Sequence, residues 1–155
     1  MKIETAQVEI IAPRDQLNFL HQHTVEMARP LTPLEAWFAM TRDPLPLLQT
    51  AFRIRDAVSA RFGVARIGGL SGREPGFVQA GDRLDFFTVE TIDDTRLSLT
   101  ARDRHLDTMS CLTVRGRTLT LTSSVKVHNW FGRLYMLPVA PAHRVIVRRM
   151  MARLT

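Results

Sequence analysis

Between Thr118 and Val127 the chain alternates. Leu119, Leu121, Val125 and Val127 fall on one side of an extended backbone, and Thr118, Thr120, Thr122, Ser124 and Lys126 on the other. Period two marks a strand with one buried and one solvated face, the pattern of antiparallel sheets. Such a strand cannot stand alone, because its apolar row has to be covered by another layer. Only the last segment of the chain is long and apolar enough to form a helix lying across the sheet.

Upstream segments supply the remaining strands. DFFTVETI (85–92), a turn at Asp93–Asp94 and TRLSLTA (95–101) make one hairpin. LDTMSCLTV (106–114) joins the alternating strand through Arg115–Gly116–Arg117. LNFLHQHTVEMA (17–28) also alternates, with Leu17, Phe19, Val25 and Met27 sharing a face with His21 and His23. Thr32, Pro33 and Glu35 then form a helix start: N-cap, first-turn proline and capping-box glutamate. Asp43 and Pro44 repeat that signal. Leu47, Ala51, Ile54, Val58 and Phe62 follow a helical period, and Gly63 is placed to end it. Five glycines across residues 65–82 lack the phosphate-cradle spacing and read as a connector or a mobile lid. The final helix runs from about Phe131, with a kink or restart expected at Pro138 and Pro141. Ile146, Val147, Met150 and Leu154 are its apolar stripe. The order is strand, two helices, four antiparallel strands and a long C-terminal helix. It predicts an α+β helix-grip fold, an antiparallel sheet wrapped around that helix. A single domain then spans residues 1–155, with residues 1–15 as an extended N-terminal arm.

Composition narrows the functional classes. The 155 residues carry a net charge of +6, and Lys2 and Lys126 are the only lysines, so the excess is arginine. Arginine forks suit phosphate and carboxylate, yet Arg144, Arg148, Arg149 and Arg153 read as a solvated helix face. Aromatic and basic residues interleave only from Trp130 to Tyr135, too little for base stacking, so nucleic acid is an unlikely partner on this reading. Cys111 is the sole cysteine, which rules out an intrachain disulfide and suits a reducing cytosol. The N-terminus lacks a signal-peptide core, and LYMLPVAPA (134–142) is about half a membrane span. A soluble, cytoplasmic protein with no membrane span is expected, and a homodimer stays open.

The stretch that most looks like chemistry is DRHLD. Asp103, His105 and Asp107 stand at alternate positions, so an extended chain would point all three one way. A carboxylate beside a histidine fixes its tautomer and raises its pKa, as general bases require. The competing reading is a hairpin corner at which Asp103 bonds nearby amides, and no nucleophile or oxyanion donor accompanies the trio. His21 and His23 have chelating spacing on one strand face but no evident third ligand, so no metal is expected. His128, Asn129, Arg133 and Tyr135 cluster where the last strand meets the last helix. They could hold an anionic head group, with Arg133 as a fork, or start the helix with Asn129 as its cap. His143 reads as structural, in a first turn after Pro141. Val147 and Met150 serve as core or as cavity lining.

Asp103, His105, Leu106 and Asp107, followed by His128, Gly132, Arg133, Tyr135, Pro141 and His143, resemble the signature of a bacterial family, domain-of-unknown-function family 2867. That family resembles the START and polyketide-cyclase superfamily of helix-grip proteins. The likeness extends from about Gln16 to the end. Where the family often shows Asp-Tyr and a further acidic residue near the start, this chain has Asn18, Phe19 and His21. The resemblance implies a START-like fold binding a hydrophobic or amphipathic small molecule under the C-terminal helix, and the leading expectation is that it does so without catalysis and without a cofactor. His128, Arg133, Tyr135, Val147, Met150, His21 and His23 are the candidate ligand contacts. The alternative is a cyclase- or hydratase-like enzyme using His105 with Asp103 or Asp107.

Overall fold

The computed structural model describes residues 8–42, 46–61 and 77–155. Six strands form one open antiparallel sheet in the order β1-β6-β5-β4-β3-β2. They are β1 (Phe19–Glu26), β2 (Arg83–Leu84), β3 (Phe87–Ile92), β4 (Arg96–Arg102), β5 (Leu106–Arg115) and β6 (Thr118–Val127). Helices α1 (Pro33–Thr41) and α2 (Pro46–Ala60) follow β1, and α3 (Trp130–Ala152) ends the chain. The α+β class and the strand–helix order match the sequence reading, and the two-residue β2 is an addition to it.

Local chemistry explains the boundaries. Glu35 N–H donates to Thr32 Oγ1 at 3.2 Å, and Thr32 N–H donates to Glu35 Oε2 at 2.8 Å, closing the capping box of α1. At the β3–β4 turn Asp93 Oδ1 accepts from the Thr95 and Arg96 amides at 2.8 and 2.9 Å. Those amides hold the Asp93 carboxyl below its ordinary pKa. The β5–β6 turn uses Gly116 at φ +61°, a left-handed conformation that glycine adopts without strain.

Three expectations change. Helix α3 does not restart at the prolines: it is one helix with Pro138 and Pro141 inside it. Both prolines are exposed, so the carbonyls they leave without a helical N–H, those of Leu134 and Leu137, can turn to water. Ile54, expected on the buried stripe of α2, is 59% exposed. Phe52 packs inward instead, its ring 5.7 Å from Phe86, and Arg55 pairs with Asp56 at 3.0 Å. The Phe52–Phe86 contact, together with Arg55 Nη2 lying 3.8 Å from Asp103 Oδ2, therefore sets the rotation of α2. Asp43, Pro44, Phe62, Gly63 and the glycine-rich stretch as far as Gly76 lie outside the described residues, as do the side chains of Leu47, Ala51 and Val58.

The third change concerns the polar face of the sheet. Thr122 and Ser124, which alternation assigns to solvent, are buried along with Ser98, Thr100 and Cys111. The N-terminal segment reaches two of them, Ser124 and Cys111. Ile11 N–H donates to Ser124 Oγ at 2.9 Å, Glu9 N–H reaches Cys111 Sγ at 3.4 Å, and the Glu9 carboxylate pairs with Arg96 at 3.2 Å.

On the opposite face α1 and α3 close the main core. Leu97, Leu99, Leu112, Leu119 and Leu121 from the sheet meet Trp37, Met40, Val147, Met150 and Met151. At its C-terminal end α3 is fixed by Arg153 Nη1 donating to the Met40 carbonyl at 3.1 Å, and the Leu154 carbonyl accepts from Ala28 N–H at 2.8 Å.

Candidate functional site: a cavity under the C-terminal helix

Two apolar clusters share the helix-covered face of the sheet. One is the main core, and the other is Phe19, Leu106 and Val125 packed by Val127, Tyr135, Met136 and Ala140. Between them the apolar rows are interrupted by Ser110 and Ser123, a directly opposed cross-strand pair. A cavity of about 560 Å³ opens at this level, within the size range of small-molecule sites. Phe19, Val125, Met136 and Val139 give it apolar surface, and Phe52 and Phe86 form a further wall. Ser110, Ser123, Thr108 and His143 give it polar surface, and Arg55, Asp103 and Tyr135 also line it. A recess of about 110 Å³ shares Phe52, Phe86, Phe87, Ser110 and His143 with the main cavity and extends to Trp37, Met40, Val147 and Met150.

His143 is the polar centre of this space. Its Nε2 lies 2.9 Å from Ser123 Oγ, and its ring meets Phe19 and His21 edge-on at centroid distances of 5.6 and 6.0 Å. Burial, with smaller contributions from His21 and Arg144, lowers its pKa to about 4. The imidazole is therefore neutral at pH 7, with one nitrogen free to accept a proton. His21 is lowered as well, first by burial and then by the positive charge of Arg144. Its Nδ1 is buried and makes no hydrogen bond among the described residues. Because α3 is unbroken, His143 stands in mid-helix rather than in a first turn.

The DRHLD residues do something else. Residues 103–105 form a loop, so the alternation that would align Asp103, His105 and Asp107 is absent. Asp103 Oδ1 accepts from the His105 and Leu106 amides at 2.7 and 3.0 Å, while its other oxygen lies 3.8 Å from Arg55 Nη2. His105 turns toward the start of α3: its Nδ1 lies 2.9 Å from Asn129 Nδ2, and its ring packs at a tilt against Phe131 with centroids 4.4 Å apart. Asn129 caps α3 by accepting from Gly132 N–H at 3.0 Å. The His105 carbonyl accepts from His128 N–H at 2.8 Å, and a Cβ on Gly132 would overlap that same carbonyl oxygen. DRHLD and HNWFG thus form one clasp that seats the helix. Asp107 points elsewhere, pairing with His128 at 3.1 Å and Arg102 at 3.2 Å. Of the proposed acid–base trio, only Asp103 lines the cavity.

The candidate ligand contacts separate too. Tyr135 lines the main cavity, with the Arg55 guanidinium 6.0 Å from its ring centre. Arg133 is exposed, because two helical positions are roughly 200° apart and cannot share a face. Val147 and Met150 line the small recess, and His128 is taken up by Asp107. His21 packs behind His143, and His23 sits opposite Leu121 in the β1–β6 ladder. Among the described residues, no three histidine, cysteine or carboxylate side chains group to hold a metal ion.

Sequence reasoning missed Ser110, Ser123, Arg55 and the cavity role of His143. The available signal was a polar residue in an apolar row, Ser123 between Leu121 and Val125. A family model described as Protein of unknown function (DUF2867) matches residues 14–150. No curated protein and no solved structure matches the chain.

Proposed function

We propose, for a chain that belongs to the family described as Protein of unknown function (DUF2867), a function read from its own geometry. It binds a hydrophobic or amphipathic small molecule, without catalysis, in the cavity between sheet and α3. The observation that carries this reading is the 560 Å³ space, with apolar surface around a polar Ser110–Ser123–His143 patch. Apolar surface supplies affinity, and the few polar groups orient the ligand. A helix-grip, START-like description suits a long helix laid over an antiparallel sheet with a cavity between them. The lone buried Cys111 suits a cytosolic setting.

Native mass spectrometry of the purified protein and titration with an apolar fluorescent probe test the proposal. An adduct, or probe binding that Val139→Asp abolishes, supports it. No adduct and no saturable probe binding would sink it.

A second reading keeps a cyclase- or hydratase-like enzyme but moves the general base from His105 to His143. The 2.9 Å contact between Ser123 and a neutral imidazole favours that choice. Turnover lost in His143→Gln and retained in His105→Gln supports it, and the reverse pattern removes it.

A further inference from the structure

The inner face of α3 is committed to the cavity and the core, whereas its outer face carries large apolar side chains that touch little. Trp130 is 69% exposed, Leu134 56%, Leu137 71% and Val145 45%, and Pro138 and Pro141 are exposed as well. Trp130, Leu134, Leu137, Pro141 and Val145 are spaced by four, three, four and four residues, so they fall in one line along the helix. Singly exposed apolar residues need no explanation, but a continuous exposed line does.

Charge selects the occupant. Helix α3 contains Arg133, Arg144, Arg148 and Arg149 and no aspartate or glutamate. By helical rotation Arg133 flanks the apolar line on one side and Arg149 on the other, and Arg148 extends it, while the Arg144 guanidinium turns back to lie 5.6 Å from the centre of the Phe19 ring. An apolar ridge between cationic shoulders is the pattern of a helix lying in the interface of an anionic membrane. A second copy of the chain fits poorly, since pairing two such faces would oppose arginines with no carboxylate on either helix. No helix among the described residues is long and apolar enough to cross the bilayer, so the contact is a surface one.

We propose that the outer face of α3 docks on an anionic lipid surface, with Trp130, Leu134 and Leu137 entering the acyl boundary and the arginines meeting lipid phosphates. Docking places the roof of the cavity against the membrane. It stands apart from the ligand-binding reading, because the ridge and the cavity lie on opposite faces of the same helix.

Vesicles of phosphatidylcholine alone, or mixed with phosphatidylglycerol, test this by flotation and tryptophan fluorescence. Trp37 is buried at 6% exposure and Trp130 is not, so a blue shift on vesicle addition reports Trp130. Binding should require phosphatidylglycerol and fall with salt. Leu137→Glu should weaken it about tenfold or more, and Arg148→Gln about fivefold. Probe binding in the cavity should be unchanged in both variants, whereas Val139→Asp should lose the probe and keep the vesicles. No phosphatidylglycerol-dependent binding at low salt overturns the proposal. So does equal binding to both vesicle types, or a Leu137→Glu variant whose Tm falls as a core substitution would. A solution dimer dissolved by Leu137→Glu assigns the face to a second copy and overturns it too. Retention on nucleic acid that is indifferent to Leu137→Glu, without vesicle binding, does the same.

Discussion

Two histidines occupy opposite roles. His105 lies in the conspicuous motif, between two carboxylates, yet its ring is engaged by Asn129 and Phe131 at the seat of α3. His143 follows an exposed proline in an arginine-rich helix, yet it faces the cavity and holds Ser123 at 2.9 Å. Proximity in sequence gives the first its chemical look, and position on a helix that spans a cavity gives the second its access. A charged neighbour along the chain matters less than what the backbone lets the ring reach.

The largest effect should come from the clasp. Gly132→Val drives side-chain atoms into the His105 carbonyl, which is fixed by its own hydrogen bond. Urea denaturation should show a loss of about 3 kcal/mol, the upper end for overpacking. A loss under about 1 kcal/mol would mean that the seat is loose and the contrast between the two histidines is overstated.

Acid should act through the other site. The folded pKa of His143 is about 4, below the 6.5 of an unfolded histidine, and His21 is lowered too. Stability from keeping these rings neutral is therefore complete above pH 6.5 and lost as pH falls toward 4. For one such proton the slope reaches up to about 1.4 kcal/mol per pH unit. Stability against pH should flatten in His143→Phe and keep its slope in His105→Phe. Identical curves for the two variants would erase the distinction.

His105→Ala should cost about 2 kcal/mol, from lost packing on Phe131 and a cap without its partner, with cavity affinity unchanged. Ser123→Ala should cost only about 1 kcal/mol in stability while altering probe affinity. Asp103→Asn preserves the oxygen that accepts the two amides, so its cost should stay near 0.5 kcal/mol. Melting curves paired with probe titrations would separate these two kinds of effect.

The strands and α1 were legible because their signals are local. Alternation in β6, the capping box at Thr32 and the Asp93 turn each depend on neighbours a few residues away. The buried state of Ser124 was not legible, since the segment that bonds it lies more than a hundred residues upstream in the chain. The continuity of α3 through two prolines depends on their exposure, a tertiary fact. Asp103 as a turn residue and Asn129 as a cap were readable from residue type. The cavity wall was not, because Arg55, Phe52 and Ser123 come together only when α2 and the sheet take their places.

Helix α3 is fastened at both ends, by the His105–Asn129 seat and by Arg153 on Met40. Its prolines remove two internal hydrogen bonds between those fastenings, over the stretch that roofs the cavity. The lowest-energy local opening should therefore begin at mid-span rather than fray from a terminus. Amide exchange would show it as fast-exchanging residues bracketed by slow ones, and a ligand could pass beneath the helix with both ends still docked.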